Sequence, residues 1–343
     1  MSSSPSKIVS RLDLWINPIF DELIRATPAL HLQCLARADE DGVWAGLARS
    51  AAYHVSAAKD ELPRQWFADA ALIERCPDLL CVSSGGAGYD TVDVDACTHA
   101  GIAVVNQAGA NANSVAEHTF GLILALAKRI IPANRRLRTD SGFAREELMG
   151  EEIHGATLGI IGLGVIGERT ARVARGFGMQ VLAYDPHLDE DTLRQRGAQP
   201  ATLEQLLAAS DYVSLHCPLN ASTRHLMSER QFAAMKPGAV FISTARGGIH
   251  DEAALYEALK DRHLSGAGLD VWAVEPPPHG APLLALENVI ATYHTAGVSV
   301  GGRRNVARSS AQQIQALLRG ERPPHLLNPQ VWEHFLERLR KTA

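Results

Sequence analysis

The sequence has no stretch that is long and apolar enough to cross a membrane. No window approaches the run of about 20 apolar residues that a spanning helix needs, and residues 1–7 lack the basic and then apolar pattern of a signal peptide. Basic residues are not in excess either, because 33 Lys and Arg stand against 38 Asp and Glu, for a net charge of −5. We therefore expect a cytoplasmic protein that binds neither membrane nor nucleic acid.

Cysteine is also scarce, with five residues in 343. Their number is odd and no two form a Cys-x-x-Cys pair, so we expect reduced thiols and neither a disulfide framework nor a metal site. The positions are Cys34, Cys76, Cys81, Cys97 and Cys217. Apolar residues make up 46% of the chain and charged residues 21%, which is an ordinary globular composition, and the length is sufficient for two domains.

Short apolar strand candidates alternate with helical patterns along the whole chain, which is typical of parallel α/β sheets. Six strands are expected between Thr157 and Thr292, and long helices over Ser114–Ile131 and Gly301–Arg319. Four strands are expected in the first part of the chain, near Lys7–Ser10, Ala52–Ser56, Leu79–Ser83 and Ala103–Asn106. The prediction is two doubly wound parallel-sheet domains, with segments 1–108, 109–297 and 298–343, the last returning to the first domain.

A glycine-rich turn in the middle of the chain predicts what the second domain binds. Gly162, Gly164 and Gly167 follow the apolar strand Thr157–Ile161 in G-x-G-x-x-G spacing, and a helical pattern comes next. In this motif the first glycine makes the tight turn, the second admits a pyrophosphate, and the third allows close packing of helix on strand. The phosphates then lie at the helix N-terminus. The motif indicates a dinucleotide-binding Rossmann domain.

A carboxylate at the end of the next strand indicates which dinucleotide. Asp185 lies about 20 residues beyond the glycines, where an acid meets the adenosine ribose. The carboxylate accepts hydrogen bonds from ribose hydroxyls but repels a 2′-phosphate, and Pro186, His187 and Leu188 add no positive charge. We therefore expect the cofactor to be NAD rather than NADP. The alternative for Asp185 is a solvated acid at a strand end.

Three later strands end in segments with reactive side chains, and ligands of such sheets gather at the carboxyl ends of strands. Arg246 can bind a carboxylate through two hydrogen bonds and polarise the adjacent carbonyl. His294 can give a proton to that oxygen as hydride arrives, and Glu275 would favour the charged imidazole. Asp270 either caps a turn or lies near the nicotinamide. Together these residues suit hydride transfer on a 2-hydroxy acid.

Each of these residues also has an ordinary structural explanation. Arg246, next to two glycines, is compatible with a surface loop, and Glu275, before a proline, with a solvated carboxylate. An isolated histidine such as His294 is more often a core or loop residue. The three segments favour a site because they converge on one rim of a dinucleotide-binding sheet.

These segments resemble the signatures of the D-isomer-specific 2-hydroxyacid dehydrogenases, a family that includes phosphoglycerate, D-lactate and glyoxylate/hydroxypyruvate enzymes. The resemblance extends from about Leu79 to Gly297, and more loosely to Trp332. It implies a catalytic triad of Arg246, Glu275 and His294, with His294 as proton donor. The cofactor contacts that it implies, together with the glycine turn, are Gly162, Gly164, Val165, Ile166, Gly167, Asp185, His216, Cys217, Pro218, Thr223, Thr244, Ala245, Arg246, Asp270, His294 and Gly297.

The resemblance also covers a glycine-rich turn in the first domain. Gly86, Ala87 and Gly88 match the family's substrate loop, whose backbone N–H groups hold the substrate carboxylate, with Arg246 and His294 as further substrate contacts. The family's organisation makes residues 1–108 and 298–343 the substrate domain, of flavodoxin-like form, with the NAD domain inserted between them. It further implies a homodimer built by the helix from Ser114 and the arm 131–153. One departure is Tyr293, where the family usually has proline before the catalytic histidine.

The expected function is NAD-dependent hydride transfer at C2 of a small D-2-hydroxy or 2-oxo acid. Hydroxypyruvate, glyoxylate and 3-phosphoglycerate types of substrate all remain open, as does the direction of the reaction. Formate dehydrogenases fit less well, because they pair the histidine with glutamine rather than glutamate. An alternative of another class is an NAD-sensing, corepressor-like binding protein with the same fold.

Overall fold

The computed structural model describes residues 6–142 and 144–342, and the strands within them form two parallel sheets. The first sheet has the order β2-β1-β3-β4-β5 and the second the order β12-β11-β10-β9-β6-β7-β8. The strands are β1 (Lys7–Leu12), β2 (Leu30–Leu35), β3 (Ala52–Val55), β4 (Cys81–Ser84), β5 (Ala103–Val105), β6 (Thr157–Ile161), β7 (Gln180–Tyr184), β8 (Gln199–Pro200), β9 (Tyr212–Leu215), β10 (Val240–Ser243), β11 (Gly266–Leu269) and β12 (Val289–Ala291).

Helices connect the strands, as parallel pairing requires. They are α1 (Ile19–Arg25), α2 (Glu40–Leu47), α3 (Ala70–Arg75), α4 (Val94–His99), α5 (Ala112–Ala127), α6 (Ile130–Thr139), α7 (Val165–Gly176), α8 (Glu190–Gln195), α9 (Leu203–Ala209), α10 (Glu229–Ala233), α11 (Glu252–Lys260), α12 (Val300–Leu318) and α13 (Trp332–Lys341). Within the described residues, none of these helices has the length and apolar character that crossing a bilayer requires.

The chain forms two compact units. The first comprises the described residues up to Asn111 together with those from Val300 onward, and the second comprises Ala112–Ser299. Each unit is a parallel sheet with an apolar core on both faces, because successive side chains of a buried strand point to opposite faces. The predicted fold class, two doubly wound α/β domains with one inserted into the other, is confirmed.

Several elements differ from the sequence prediction. The second sheet has seven strands rather than six, and the additional β8 is a two-residue edge strand that contains a proline, where the missing N–H costs no ladder bond. The first sheet also has β2, an edge strand in which apolar and polar residues alternate. α5 ends at Ala127 rather than Ile131, because Arg129 adopts a left-handed conformation (φ +52°) and Glu151 N–H binds the Ala127 carbonyl.

Candidate active site

The glycine turn between β6 and α7 combines close backbone packing with one open position. A Cβ atom at Gly162, where φ is +92°, would lie 2.7 Å from the Cys217 nitrogen. A Cβ atom at Gly167 would overlap the carbonyl oxygen of Gly162, so this glycine lets α7 lie against the turn. At Gly164, by contrast, a Cβ atom would meet nothing within 4 Å. Of the three glycines in the turn, therefore, only Gly164 has open space at its Cβ position.

This open space lies at the N-terminus of α7, for which Gly164 is the N-cap residue. The first N–H groups of a helix have no acceptor within it, and they carry the positive end of the helix dipole. The side chain of Val165 is half exposed beside them, and Ile166 follows with partial exposure. The turn is thus a cradle of backbone donors that fits a diphosphate group, as NAD binding requires.

Asp185 lies immediately after β7 and is fixed beside the glycine turn. Its Oδ2 atom accepts a hydrogen bond from the Leu163 N–H at 2.9 Å, and its Oδ1 atom accepts one from the His187 N–H at 3.0 Å. Arg196, which no sequence motif singles out, donates from Nη1 to the carbonyl oxygen of Leu163 at 2.5 Å. The carboxylate is therefore held at the edge of the turn by two backbone donors.

The segment after β9 lies against the same turn. His216 binds Ser214 Oγ through Nε2 at 3.0 Å, and burial lowers its pKa to about 4, so its imidazole is neutral at pH 7. Burial raises the pKa of the Cys217 thiol to about 11. Thr223 donates from Oγ1 to the Pro218 carbonyl at 2.6 Å, which closes the loop on itself.

A histidine–carboxylate pair joins two loops at the carboxyl ends of β11 and β12. His294 Nδ1 lies 2.8 Å from Glu275 Oε2, and the Trp272 N–H donates to Glu275 Oε1 at 3.0 Å. Burial acts to raise the pKa of Glu275, but the bond to His294, its positive charge, the Trp272 N–H and Arg246 together hold it below its usual value. Because a carboxylate only accepts, Nδ1 carries the hydrogen of this contact.

The His294 loop is built around the buried carboxylate of Asp270, which has no exposed surface. Oδ1 accepts from Thr292 Oγ1 at 2.6 Å and from the Thr295 N–H at 2.8 Å, and Oδ2 accepts from the Ala296 N–H at 2.8 Å. His294 has φ +47°, and its own N–H binds the Asp270 carbonyl at 2.7 Å. Asp270 therefore fixes the loop in a conformation that a residue with a Cβ atom rarely adopts.

The Arg246 loop follows β10 and packs on the segment that holds Glu275. Arg246 Nη1 donates to the Ala245 carbonyl at 2.7 Å. A Cβ atom at Gly247 would overlap the backbone of Trp272, so only glycine allows the two loops this close approach. Thr244 is buried beneath the loop, and its hydroxyl lies 3.1 Å from that of Thr119 on α5.

The remaining predicted positions of this region lie in the same loops. Gly297 follows the His294 loop and is partly buried, whereas Tyr293, directly before the histidine, is half exposed. Within the second unit, the structure thus gathers the charged residues predicted from sequence at the carboxyl ends of neighbouring strands. Among the residues that the structure describes, no group of three or more His, Cys, Asp or Glu side chains is arranged to hold a metal ion.

In the first unit, the loop after β4 has its carbonyl groups turned away from its N–H groups. The carbonyl of Gly86 accepts from the Gln107 N–H at 2.8 Å, that of Ala87 from Asn106 Nδ2 at 2.7 Å, and that of Gly88 from Ser84 Oγ at 2.7 Å. The N–H and C=O of one peptide point in opposite directions, so these three bonds fix the N–H groups of Ala87, Gly88 and Tyr89 as outward donors. They make no hydrogen bond within the described parts of the chain.

The supporting residues of this loop were not predicted. Gln107 Nε2 donates to Ser83 Oγ at 3.2 Å and to the Ser84 carbonyl at 3.1 Å, and Gln313 Nε2 of α12 donates to the Gln107 side chain at 2.8 Å. Buried Asn and Gln side chains directly after a strand were the available signal, because buried amides need partners. Gln107 and Gln313, however, are more than 200 residues apart in sequence.

Comparison with known proteins gives a consistent result. The family described as "D-isomer specific 2-hydroxyacid dehydrogenase, NAD binding domain" matches residues 120–296. A glyoxylate reductase of Korarchaeum cryptofilum is 41% identical over 266 residues, which cover 77% of this chain and 80% of that protein. A D-3-phosphoglycerate dehydrogenase of Methanocaldococcus jannaschii is 38% identical over 78% of this chain, and the chain spans 51% of its length.

A solved structure shows the same similarity in three dimensions. The crystal structure of a glyoxylate reductase from Paecilomyes thermophila superimposes with a TM-score of 0.81 at 27% sequence identity, covering 95% of this chain and 99% of that one. The similarity therefore extends over both units rather than the glycine-turn region alone.

Proposed function

The chain belongs to the D-isomer specific 2-hydroxyacid dehydrogenase family, and on that premise we propose that it transfers hydride between NAD and C2 of a small D-2-hydroxy or 2-oxo acid. The observation that carries the proposal is the 2.8 Å contact between His294 Nδ1 and Glu275 Oε2 in loops at the carboxyl ends of β11 and β12. A histidine oriented by a carboxylate, with Nε2 left for substrate, is an acid-base group for an oxygen that gains or loses a proton.

NAD is held by the second unit, which we assign as the cofactor domain. The backbone donors at Gly164, Val165 and Ile166 bind the diphosphate, and Asp185 binds the adenosine ribose. The other assigned contacts are the carboxyl-end segments of the sheet at 216–218, Thr223, 244–246 and 294–297. Asp270 acts by fixing the His294 loop, since its carboxylate is fully buried. When bound, NAD supplies the hydride acceptor or donor of the reaction.

Three side chains of the second unit then bind the substrate and transfer the proton. Arg246 binds the substrate carboxylate and polarises the C2 oxygen, for which a guanidinium with several donors is suited. His294 gives a proton from Nε2 to that oxygen in reduction and takes it back in oxidation. Glu275 keeps Nδ1 protonated and stabilises the charged ring. General acid-base catalysis of this kind contributes about 10²- to 10⁴-fold in rate.

The first unit is assigned as the substrate domain. The occupied carbonyls of Gly86, Ala87 and Gly88 turn the N–H groups of Ala87, Gly88 and Tyr89 outward, and we assign the donors of the Gly86–Gly88 loop to the substrate carboxylate. The arrangement resembles an anion-binding nest of successive backbone N–H groups. The substrate is of the hydroxypyruvate, glyoxylate or 3-phosphoglycerate type, since glyoxylate reductases and D-3-phosphoglycerate dehydrogenases are among the relatives.

A homodimer in the cytoplasm is the proposed form of the enzyme. α6 buries none of its residues, and its Ile130, Ile131 and Leu137 side chains are 49%, 52% and 77% exposed. An apolar face of this kind is favoured as a subunit contact. Sedimentation at several protein concentrations tests this: Leu137→Glu should shift the protein toward monomers, and a monomeric wild type would contradict the assignment.

A substrate panel tests the activity itself. Purified protein with NADH should reduce at least one of hydroxypyruvate, glyoxylate, pyruvate and phosphohydroxypyruvate. His294→Ala should lower the rate by at least about a hundredfold while leaving NADH binding, followed by fluorescence titration, almost unchanged. Equal loss of both would contradict the assigned role. NADH binding without reduction of any acid by the wild type would instead favour an NAD-sensing protein, which the enzymatic activities named for the relatives disfavour.

A further inference from the structure

Polar side chains in the first unit form a row that the proposed function does not use. Arg11 on β1, His54 on β3 and Ser83 on β4 are register partners on three adjacent strands, and partners in a parallel sheet point to the same face. The row lies near the carboxyl ends of these strands, where α/β sheets bind ligands. Gly85, which leads into the proposed carboxylate loop, follows one residue after the end of β4.

A small cavity opens at this place. Its volume is about 50 Å³, and Arg11, His54, Ser56 and Gly85 are among its lining residues, all of them in the first unit. A water molecule needs about 10–15 Å³ on the same measure, so the cavity has room for roughly four water-sized groups. A hydroxymethyl group fits this space.

His54 presents one ring nitrogen to this cavity. Nδ1 lies 3.4 Å from Ser83 Oγ, and the Phe20 ring packs against the imidazole in a tilted arrangement with a centroid distance of 4.7 Å. Nε2 lies 3.4 Å from the position that a Cβ atom would take at Gly85. The hydrogen bond of the ring to a described residue is the one at Nδ1. Nε2, beside the cavity, is therefore available to hydrogen-bond a ligand.

The charges around the cavity are matched, which favours a neutral ligand group. The guanidinium of Arg11 binds Asp21 through two hydrogen bonds of 2.8 Å and also binds the backbone carbonyls of Leu12 and Leu14. Arg303 and Glu61 also line the cavity and oppose each other in charge. Burial, followed by the positive charge of Arg11, lowers the pKa of His54 to about 4, so the ring is neutral at pH 7.

We propose that His54 is a specificity-determining residue that hydrogen-bonds the C3 hydroxyl of the substrate, so that the preferred substrates are 3-hydroxy-2-oxo acids of three carbons and the corresponding D-acids. The proposal rests on the proposed function, because it places the substrate carboxylate on the N–H groups next to Gly85. C3 is then a bond beyond C2 and reaches the neighbouring cavity. Glyoxylate has no C3, and pyruvate has C3 without the hydroxyl.

The test compares hydroxypyruvate, pyruvate, glyoxylate and phosphohydroxypyruvate through their kcat/KM values with NADH. The wild type should prefer hydroxypyruvate to pyruvate by about tenfold or more, the value of one buried hydrogen bond. His54→Leu, which keeps the volume, should remove this preference and leave the rate with glyoxylate within about twofold. His54→Gln, which keeps a polar group near the position of Nε2, should retain most of the preference. His31→Leu, an exposed position on β2, is the matched control.

The outcomes are distinguishable. An unchanged hydroxypyruvate-to-pyruvate ratio in folded His54→Leu would overturn the proposal, and so would a wild-type preference for pyruvate or phosphohydroxypyruvate. If circular dichroism shows that His54→Leu does not fold, the wild-type ratio of hydroxypyruvate to pyruvate and the His54→Gln variant decide. A His54→Gln variant that loses the preference, and loses activity on glyoxylate to the same extent, would also contradict the assignment. A wild type that reduces no 2-oxo acid would refute the proposed function itself, and the specificity proposal with it.

Discussion

Glu275→Gln tests the acid-base pair most directly, because it removes one charge and keeps the shape. At an effective dielectric constant of about 20, unit charges about 4 Å apart attract by about 4 kcal/mol. The His294 side chain is 40% exposed and that of Glu275 25%, and exposed pairs retain at most about 1 kcal/mol. We therefore expect Glu275→Gln to lose about 1.4 kcal/mol of this attraction, a value between the two limits that corresponds to a tenfold fall in the rate of reduction.

Hydrogen bonding adds to this loss. The Trp272 N–H requires an acceptor at the Oε1 position, so the oxygen of the new side-chain amide takes that place and the amide NH2 group faces His294 Nδ1. Nδ1 must then accept, which puts the hydrogen on Nε2 in the neutral ring and removes the base that oxidation needs. Oxidation of the hydroxy acid should therefore fall by more than the tenfold expected for reduction.

The assay is the pH dependence of kcat/KM in both directions, followed by the absorbance of NADH. Reduction uses the proton that His294 gives from Nε2, and the pair with Glu275 supports that donor, so the pH profiles of kcat/KM should differ between the variant and the wild type. Glu252→Gln is the matched control, since Glu252 accepts the Ala273 N–H in the same loop without touching the histidine. Superimposable pH profiles for wild type and Glu275→Gln would refute the reasoning.

Three further predictions concern the cofactor, the loops and the fold. Asp185→Ala should weaken binding of NADH more than that of NADPH in fluorescence titrations, and an unchanged ratio would remove Asp185 from the ribose. Gly247→Ala places a Cβ atom on the Trp272 backbone, so activity should fall by at least about tenfold with a lower melting temperature; a fully active variant would disprove the steric argument. Both ring nitrogens of His250 are buried without partners among the described residues, and burial lowers its pKa to about 4. Since the unfolded chain takes up that proton near pH 6.5, stability falls as the pH decreases from there toward 4, and His250→Leu should raise stability at about pH 5 by about 1–2 kcal/mol more than at about pH 8. Equal changes at the two pH values in urea titrations would contradict this.

The sequence was informative where function depends on local geometry. The three glycines of the turn have the packing that their spacing predicts, because strand, turn and helix are contiguous. The contact between Glu275 and His294 was also predictable, since both residues follow strands whose carboxyl ends share one edge of a sheet. The catalytic and binding roles of these residues stay predictions until they are assayed.

What could not be predicted depends on register between distant strands. The row Arg11, His54 and Ser83 exists only because β1, β3 and β4 pair with a particular register. The burial of Asp270 beneath its loop likewise follows from tertiary packing, and the sequence left its two roles open. The left-handed residue that ends α5 is Arg129 rather than a glycine, so the sequence carried no signal for the helix end and the predicted helix was too long.

The loop from Ser84 to Gly88 has a consequence for how this enzyme could be redesigned. The proposed anchor for the substrate carboxylate consists of main-chain N–H groups, which no side-chain replacement other than proline can delete, and its orientation depends on Asn106, Gln107 and Ser84. Mutant libraries for a new acid should therefore leave these three positions constant and randomise the cavity wall around His54. Recognition of the shared carboxylate and choice among C3 substituents are, in this layout, separately evolvable traits.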